Sequence, residues 1–390
     1  MSLAPAPIVR RRPLPFTLAA AATLAAILLS ALACERASSG TRAGRPAALV
    51  PTGSAAAPYR YLGRVDSSAG GHVDLVGVAS YAEFGLGGDS VALAVSWTEG
   101  PAGYGFAAVE VDGEYRGRYE IPAGDTTWLH FGLGDRPGPH RVRLSQASEQ
   151  WIGALRFYGA AAADLRRVPA RRGVAAFFGD SISAGAASDT TGKSCAEEHY
   201  GDLANGYLAF PARAARALDL DYVVHAQSGR GLYVNWNAED PPLPELLGYL
   251  ALDPADGRPY DLAAEDPVLA VVALGTNDTN EGRERVDTPF DTVRYAGAYR
   301  TLIDRLATAY PRAGFVLVTS PMAGGSRAAV LDRTIARIRR EAAARHPDRA
   351  FAVADVTGLP NNGCSAVPHP TIDDQVAIAE RVAAAARTVL

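Results

Sequence analysis

The segment AAFFGDSISAG places a serine directly behind an apolar run that has the composition of a buried parallel strand. The run Val174–Phe178 ends at Gly179, and Asp180 and Ser181 follow at once. Asp and Ser often cap helices, so one interpretation is that they only begin the next helix. Open α/β sheets carry their active sites at the carboxyl ends of the strands, so the other interpretation is a nucleophilic Ser181.

Three further segments join predicted strands or helices and are rich in glycine, amide and imidazole groups. AQSGRGLYVNWN follows the run Tyr222–His225, GTNDTN follows Val268–Leu274, and NNGCSAVPHPT precedes the last predicted helix. Each alone is explained by turn or capping chemistry. Together they bring a hydroxyl, glycine amides, a side-chain amide and an imidazole to one sheet edge, which are the parts of an acyl-transfer site. The candidate residues are Ser181, Gly229, Asn277 and His369.

Strands and helices alternate from about residue 171 to the end of the chain, and this alternation must position the candidate groups. The predicted strands are Val174–Phe178, Tyr222–His225, Val268–Leu274, Phe315–Thr319 and Phe351–Asp355. The predicted helices are Tyr207–Leu218, Thr292–Ala309, Arg327–Arg345 and Thr371–Val389. Such alternation predicts an α/β fold with a parallel sheet covered by helices on both faces.

Residues 58–165 have a different pattern, with short strand-like runs and turn signals. SVALAVSW and FAAVEVDGEYRGRYEI have strand composition, and Asp112-Gly113 is a hairpin turn signal in the second. This pattern predicts a β-sandwich of about a hundred residues. The predicted organisation is a signal peptide at 1–33, a flexible tether at 34–57, the β-sandwich at 58–165 and the α/β domain at 171–390.

The first 34 residues predict export. Arg10–Arg12 precede the uncharged run Pro13–Ala33, which is the pattern of a secretory signal, although an uncleaved anchor is an alternative. Ala31 and Ala33 suit ordinary signal peptidase, whereas Cys34 behind a small residue is similar to the lipid-modified cysteine of bacterial lipoproteins. We expect an exported protein, either a lipoprotein anchored through Cys34 or a fully secreted one.

Charge and cysteine content exclude several classes of protein. A net charge of −4 and a pI near 6.0 argue against nucleic acid as a partner. The three cysteines are Cys34, Cys195 and Cys364, and none has metal-ligand spacing. If Cys34 is removed or lipidated, Cys195 and Cys364 remain as a pair, and we expect them to form a disulfide in an oxidising compartment.

The order GDSIS, a glycine, GTND and a late histidine resembles the SGNH, or GDSL-type, hydrolases over about residues 171–390. The resemblance implies a flavodoxin-like fold with Ser181 as nucleophile and His369 as general base. It also implies an oxyanion hole made of the Ser181 amide, the Gly229 amide and the Asn277 side chain.

The β-sandwich, together with SGRGLY and the GC…HP segment, resembles more narrowly the family-two carbohydrate esterases, which carry a small jelly-roll before the hydrolase domain. This implies a serine esterase that removes acetyl groups from polysaccharides such as xylan and glucomannan, without a metal or an organic cofactor. Two alternatives remain open. One is an SGNH esterase acting on lipid, thioester or bacterial surface glycan esters, and the other is a non-catalytic carbohydrate-binding lipoprotein.

One position departs from the family pattern. Ala366 stands three residues before His369, where the family usually has Asp. We expect a Ser–His dyad whose Nδ1–H is bound by a main-chain carbonyl of Gly363–Val367, with a carboxylate from elsewhere as the alternative. Asp373 and Asp374 are expected to favour the dipole of the closing helix instead.

The loop behind Gly229 is rich in aromatic and amide side chains. Tyr233, Trp236 and Asn237 are candidate sugar-binding residues, because aromatic faces stack on sugar rings and amides bind hydroxyls. The alternative is that they pack within their own domain. Asp180 and Asp278 are predicted to order their loops rather than to take part in the chemistry.

Overall fold

Two different β-sheets make up the part of the chain that the computed structural model describes, which is residues 48–53, 57–134, 138–191, 200–236, 240–279, 290–363 and 368–390. The predicted signal peptide, most of the tether, Cys34, Cys195, Cys364, Asn237 and Ala366 lie outside these ranges. No helix within them is long and apolar enough to cross a bilayer.

The first sheet is antiparallel and holds ten strands, and the first of them lies within the stretch 34–57 that was expected to be a tether without structure. They are β1 Leu49–Pro51, β2 Arg60–Leu62, β3 Val65–Asp66, β4 Val73–Leu75, β5 Tyr81–Trp97, β6 Tyr104–Val111, β7 Glu114–Pro122, β8 Thr127–Gly132, β9 His140–Gln146 and β10 Leu155–Arg166. The predicted hairpin turn joins β6 to β7, and Asp112 and Gly113 both have positive φ, 54° and 84°. Right-handed strand twist favours this turn geometry, which Asp-Gly adopts readily.

The strand β5 is twice as long as the predicted SVALAVSW segment. Its first part pairs with β9 through residues 81–86, and its second part pairs with β8 through residues 90–95. Residues 88 and 89 between these parts are exposed, and Gly88 has a φ of 84°. The glycines interrupt the apolar pattern at the point where the strand passes from one partner to the other, and this hides its first half from a sequence reading.

The second sheet is parallel and has five strands in the order β12-β11-β13-β14-β15. The strands are β11 Val174–Gly179, β12 Asp221–Ala226, β13 Leu269–Ala273, β14 Gly314–Val318 and β15 Phe351–Ala354. The described helices are α1 Ser181–Ala184, α2 Phe210–Ala217, α3 Leu243–Leu246, α4 Thr276–Thr279, α5 Thr292–Ala309, α6 Gly325–Arg345 and α7 Ile372–Ala386. This is the flavodoxin-like order, and the strand order reverses beside β11.

The predicted α/β architecture is confirmed, with small shifts at the helix ends. The helix α2 begins at Phe210 rather than Tyr207, because Pro211 occupies its first turn, where the missing N–H costs nothing. Thr371 is the N-cap of α7 and not its first helical residue.

Alternate residues of β11 point into two separate apolar cores. Phe177 packs in a core with the α2 residue Phe210 and the α7 residue Val382. Phe178 packs on the other face with the α5 residue Leu302. Because both faces are buried, the strand reads as a continuous apolar run, which is why it could be recognised from sequence.

The antiparallel domain inserts a buried arginine into the α/β domain. Arg64 is fully buried, and its guanidinium donates to the His225 Nδ1 at 2.9 Å and to the carbonyls of Leu247 and Leu250 at 3.1 and 3.3 Å. Its Cζ lies 4.0 Å from the ring centroid of Tyr260. Burial lowers the pKa of Arg64 to about 10.

A second set of buried charges lies at the same junction. Arg60 forms an ion pair with Asp221 of β12 and another with Glu83 of β5 at 3.2 Å. The Tyr81 hydroxyl donates to the same Asp221 at 2.9 Å, and the buried Arg143 pairs with Glu83 at 2.7 Å. The two domains are therefore joined by buried polar contacts as well as by apolar packing.

We expect Arg64→Ala to lower the free energy of unfolding by about 3 kcal/mol or more, because it leaves buried carbonyls of the α/β domain without a donor. Equilibrium urea unfolding of the whole protein measures this. The matched control is Arg300→Ala, which removes an exposed pair with Glu341 and should cost less than about 0.5 kcal/mol. Equal effects of the two substitutions would show that Arg64 does not hold the domains together.

Candidate active site

The structure brings Ser181 and His369 together. Ser181 is the first residue of α1, directly behind β11, and His369 lies just before α7. His369 Nε2 is 2.9 Å from Ser181 Oγ, although 188 positions separate the two residues in the chain. Both residues are mostly buried, since 5% of the surface of Ser181 and 7% of that of His369 is exposed. The serine therefore has an imidazole nitrogen within hydrogen-bond reach, which is the geometry that proton abstraction needs.

Asp374 fixes the start of the helix behind His369. Its Oδ2 accepts hydrogen bonds from the main-chain N–H groups of Asn362 at 3.1 Å and Thr371 at 2.9 Å. The Thr371 hydroxyl accepts in return from the Asp374 N–H, which completes a capping box. The carboxylate of Asp374 thus serves the helix end, in keeping with its predicted role.

The main chain of His369 is held by the preceding loop. Its carbonyl accepts a hydrogen bond from the Gly363 N–H at 2.6 Å, and a Cβ at Gly363 would lie 2.3 Å from that carbonyl oxygen. Glycine is therefore required at this close approach. Residues 364–367 lie outside the described ranges, so the predicted carbonyl acceptor for the His369 Nδ1–H stays a prediction.

The Asn277 side chain is hydrogen-bonded to the loop that carries Gly229. Gly229 has a φ of 77°, in the left-handed region that favours glycine. The Asn277 Nδ2 donates to the carbonyl of Arg230, the residue after Gly229, at 2.8 Å. A side-chain amide carries two N–H groups, so this bond orients the amide and leaves one for another acceptor. The Ser181 N–H is the first of a helix, and such groups have no partner within the helix.

Asp278 orders the loop that carries Gly229. Its buried carboxylate accepts from the main-chain N–H groups of Leu232 and Tyr233 at 2.9 Å and of Val234 at 3.2 Å. Burial raises the pKa of Asp278 to about 6, and these amide bonds oppose the rise. These contacts fit the predicted structural role.

Asp180 lies beneath the helix that begins with Ser181. Its Oδ1 accepts from the Ile182 N–H at 3.0 Å and so caps α1. Burial, with a smaller contribution from the nearby Asp278, raises the pKa of Asp180 to about 7. The capping interpretation of GDS and the nucleophile interpretation are therefore compatible, because Asp180 caps the helix on which Ser181 stands.

The candidate sugar-binding residues occupy different surroundings. The Tyr233 hydroxyl accepts from the Asp291 N–H at 3.3 Å, and its ring lies against Tyr295 with 6.4 Å between centroids. This places Tyr233 against the start of α5. Trp236 is partly exposed, and its main-chain N–H donates to the Gly229 carbonyl at 2.9 Å. Asn237 lies outside the described residues.

Sequence reasoning missed two residues beside the Ser–His pair. The Tyr200 hydroxyl is 3.3 Å from His369 Nε2 and 3.3 Å from Ser228 Oγ. Glu149, from the antiparallel domain, accepts from the Ser228 N–H at 2.6 Å. Neither residue belongs to a motif, and a contact between residues 79 positions apart leaves no local pattern in one sequence.

The arrangement suits acyl transfer. A serine hydroxyl bonded to an imidazole nitrogen and the N-terminal amide of α1 follow β11, and an oriented side-chain amide follows the neighbouring strand β13 at the same edge of the parallel sheet. Among the residues that the structure describes, no group of three His, Cys, Asp or Glu side chains is placed to hold a metal ion.

Comparison with known proteins gives matches in both domains. A model of the GDSL-like Lipase/Acylhydrolase family matches residues 177–376, and a carbohydrate esterase 2 N-terminal model matches residues 61–171. Two proteins of Cellvibrio japonicus, both named acetylxylan esterase / glucomannan deacetylase, are 27% identical to 62% and 65% of this chain. Each match spans 68% of the relative.

Solved structures share the whole architecture. A family two carbohydrate esterase from Clostridium thermocellum in complex with cellohexaose has a TM-score of 0.72 at 23% identity, covering 84% of this chain and 97% of that one. A carbohydrate esterase family 2 enzyme plus carbohydrate binding domain from Corynascus thermopiles has a TM-score of 0.68 at 27% identity, covering 85% and 98%. Both matches cover enough of this chain to include the antiparallel domain and the flavodoxin-like domain.

The raised pKa of Asp180 predicts how stability depends on pH. A neutral Asp180 stabilises the fold fully below its ordinary pKa of 3.8, and this contribution is lost as the pH rises to about 7. Asp180→Asn keeps the cap and is neutral at every pH, so its unfolding free energy should exceed that of the wild type above pH 7. The difference should be about 4 kcal/mol at most.

Urea unfolding at pH 5, 6, 7 and 8 tests this expectation. The matched control is Asp291→Asn, because Asp291 caps α5 in an exposed position and should give a curve parallel to the wild type. Parallel curves for Asp180→Asn as well would show that Asp180 is charged in the folded protein throughout this range.

Proposed function

The chain belongs to the GDSL-like lipase/acylhydrolase family and is a carbohydrate esterase, and from this we propose that it removes O-acetyl groups from plant-type polysaccharides such as xylan and glucomannan. The observation that carries the proposal is the 2.9 Å contact between Ser181 Oγ and His369 Nε2. The names of the Cellvibrio japonicus relatives support the choice of polysaccharide.

In the first step of the proposed reaction, Ser181 Oγ attacks the carbonyl carbon of the acetyl ester while His369 Nε2 takes its proton. The carbonyl π electrons move to the oxygen, which becomes an oxyanion. The amides of Ser181 and Gly229 and the side chain of Asn277 donate to this oxyanion. When the intermediate collapses, the sugar oxygen leaves with the proton from His369, and Ser181 carries the acetyl group.

The second step releases acetate. A water molecule gives a proton to His369 Nε2 and attacks the acetyl carbon, and the same donors bind the new oxyanion. Collapse of this intermediate breaks the bond to Ser181 Oγ, which takes the proton back from His369. The reaction uses only groups of the protein and water.

We also propose that the enzyme acts outside the cytoplasm. The basic run Arg10–Arg12 followed by the uncharged run Pro13–Ala33 supports export, and Cys34 offers an attachment point for lipid. Acetylated plant polysaccharides are too large to enter a cell, so an exported enzyme suits this substrate.

Acetate release from acetylated xylan, acetylated glucomannan and a simple aryl acetate tests the proposed function. We expect release from all three by the wild type, and less than about a hundredth of that rate from Ser181→Ala or His369→Ala. Long-chain acyl esters serve as the comparison substrate. Turnover confined to long-chain esters would support the lipid alternative, and binding of the polysaccharides without any release would support the non-catalytic one.

We expect Asn277→Ala to lower kcat by about 10²–10³ with little change in KM, because the amide acts on the oxyanion of the transition state. Steady-state kinetics with the aryl acetate measure this. The control is Asn362→Ala, since that exposed residue contacts Asp374 through its main-chain N–H, which alanine retains. An effect of Asn277→Ala on KM alone would make Asn277 a binding residue.

A further inference from the structure

A buried carboxylate of the antiparallel domain lies next to the loop of the proposed oxyanion hole. Glu149 is 1% exposed, and its carboxylate accepts from both the N–H and the Oγ–H of Ser228, at 2.6 and 2.5 Å. The Trp151 side chain also donates to it. Ser228 directly precedes Gly229, so Glu149 holds the residue whose neighbour supplies the oxyanion amide.

Tyr200 connects Ser228 to the Ser–His pair. Its hydroxyl oxygen is 3.3 Å from Ser228 Oγ and 3.3 Å from His369 Nε2, and the Ser181 hydroxyl also lies within its reach. The ring lies edge-on to the imidazole, with 5.7 Å between centroids. A continuous row of hydrogen-bonding groups thus runs from Glu149 to His369.

The donors and acceptors in this row can be assigned from the carboxylate end. The main-chain N–H of Ser228 and the indole N–H of Trp151 can only donate, so the Glu149 carboxylate acts as an acceptor. The Ser228 hydroxyl donates its proton in a hydrogen bond to Glu149, so its oxygen can accept a hydrogen bond from the Tyr200 hydroxyl. The Tyr200 oxygen then presents a lone pair, not a proton, to His369 Nε2.

This polarity matters for the general base. If the Tyr200 hydroxyl donated to Nε2, it would compete with the Ser181 hydroxyl for the nitrogen lone pair. With the proton of Tyr200 turned towards Ser228, Nε2 is left to accept from Ser181. Once Nε2 has taken the serine proton, the Tyr200 oxygen can accept a hydrogen bond from the imidazolium. The proton stays on Nε2 until the leaving oxygen takes it, and the row itself transfers none.

We propose that Glu149 is a positioning residue for the esterase reaction, which fixes the oxyanion loop through Ser228 and orients Tyr200 to stabilise the protonated His369. The inference rests on the proposed roles of Ser181 and His369. It assigns the antiparallel domain a part in the chemistry, since that domain supplies the buried carboxylate.

The tests are Glu149→Gln, Tyr200→Phe and Ser228→Ala, assayed with the aryl acetate. Loss of a hydrogen bond to a charged group should lower kcat by about tenfold or more in each variant, with KM within about twofold of wild type. The acid limb of the kcat profile, which reports the pKa of His369, should move to lower pH, because the imidazolium loses its acceptor. Asp180 also lies near Tyr200, but all three variants retain it, so they differ from the wild type only within the row.

A double-mutant cycle separates a connected row from independent contacts. In Glu149→Gln with Tyr200→Phe, kcat should fall no more than about twofold below the worse single variant, because either change breaks the same row. Multiplied effects would overturn the proposal. The matched control is Glu120→Gln, an exposed glutamate of β7, which should leave kcat and the pH profile unchanged.

Tyr200→Phe and Ser228→Ala carry the test if Glu149→Gln does not fold, since each removes one hydroxyl group and nothing else. A kcat within twofold of wild type and an unmoved acid limb in both would overturn the role of Glu149. If Ser181→Ala is inactive in the same assay, unchanged kinetics in Tyr200→Phe and Ser228→Ala would overturn the role of Glu149 and leave the proposed function standing. Activity in Ser181→Ala would instead overturn the proposed function.

Discussion

The loop after β12 has to hold the Gly229 amide in one place, and two buried carboxylates impose its conformation. Asp278 accepts three successive main-chain N–H groups of the loop, and Glu149 accepts both donors of Ser228 at its start. A carboxylate can be buried only if hydrogen bonds replace its water, and a buried amide needs an acceptor for the same reason. Loop and carboxylates therefore stabilise each other, and neither arrangement is stable alone.

Because Glu149 belongs to the antiparallel domain, that domain does more than act as a spacer or stabilise the α/β domain. The residue after Glu149 contacts the end of β12, since the Gln150 amide donates to the carbonyl of Ala226 at 3.1 Å. Away from the site, Arg64 and Arg60 fasten the same domain to the α/β domain by buried polar contacts. Such contacts require a fixed geometry, so they set the position of Glu149 relative to the sheet and not merely its proximity.

Much of the fold and of the site could be predicted from the sequence, and the reasons are physical. Both faces of β11 are buried, so the strand appears as a continuous apolar run, and parallel topology brings the ends of β11 and β13 together. Ser181 and Asn277 could therefore be placed on one edge of the parallel sheet from the sequence alone. Glu149 and Tyr200 could not, because their contacts cross from one element to another at distances along the chain that no periodicity records. The first half of β5 was hidden because glycines interrupt its pattern.

The same site concentrates acidic groups where a negative charge has to form. Asp180, Asp278 and Glu149 all lie near the carboxyl ends of the strands, and three full charges there would oppose an oxyanion. Burial raises the pKa of Asp180 to about 7 and that of Asp278 to about 6, so near neutral pH part of this charge is absent. Burial also raises the pKa of Glu149, and the hydrogen bonds from Ser228 and Trp151 oppose this rise. The row through Tyr200 connects Glu149 to His369. Through this row Glu149 assists the proton transfer to His369, and its bonds to Ser228 fix the loop that carries the Gly229 amide.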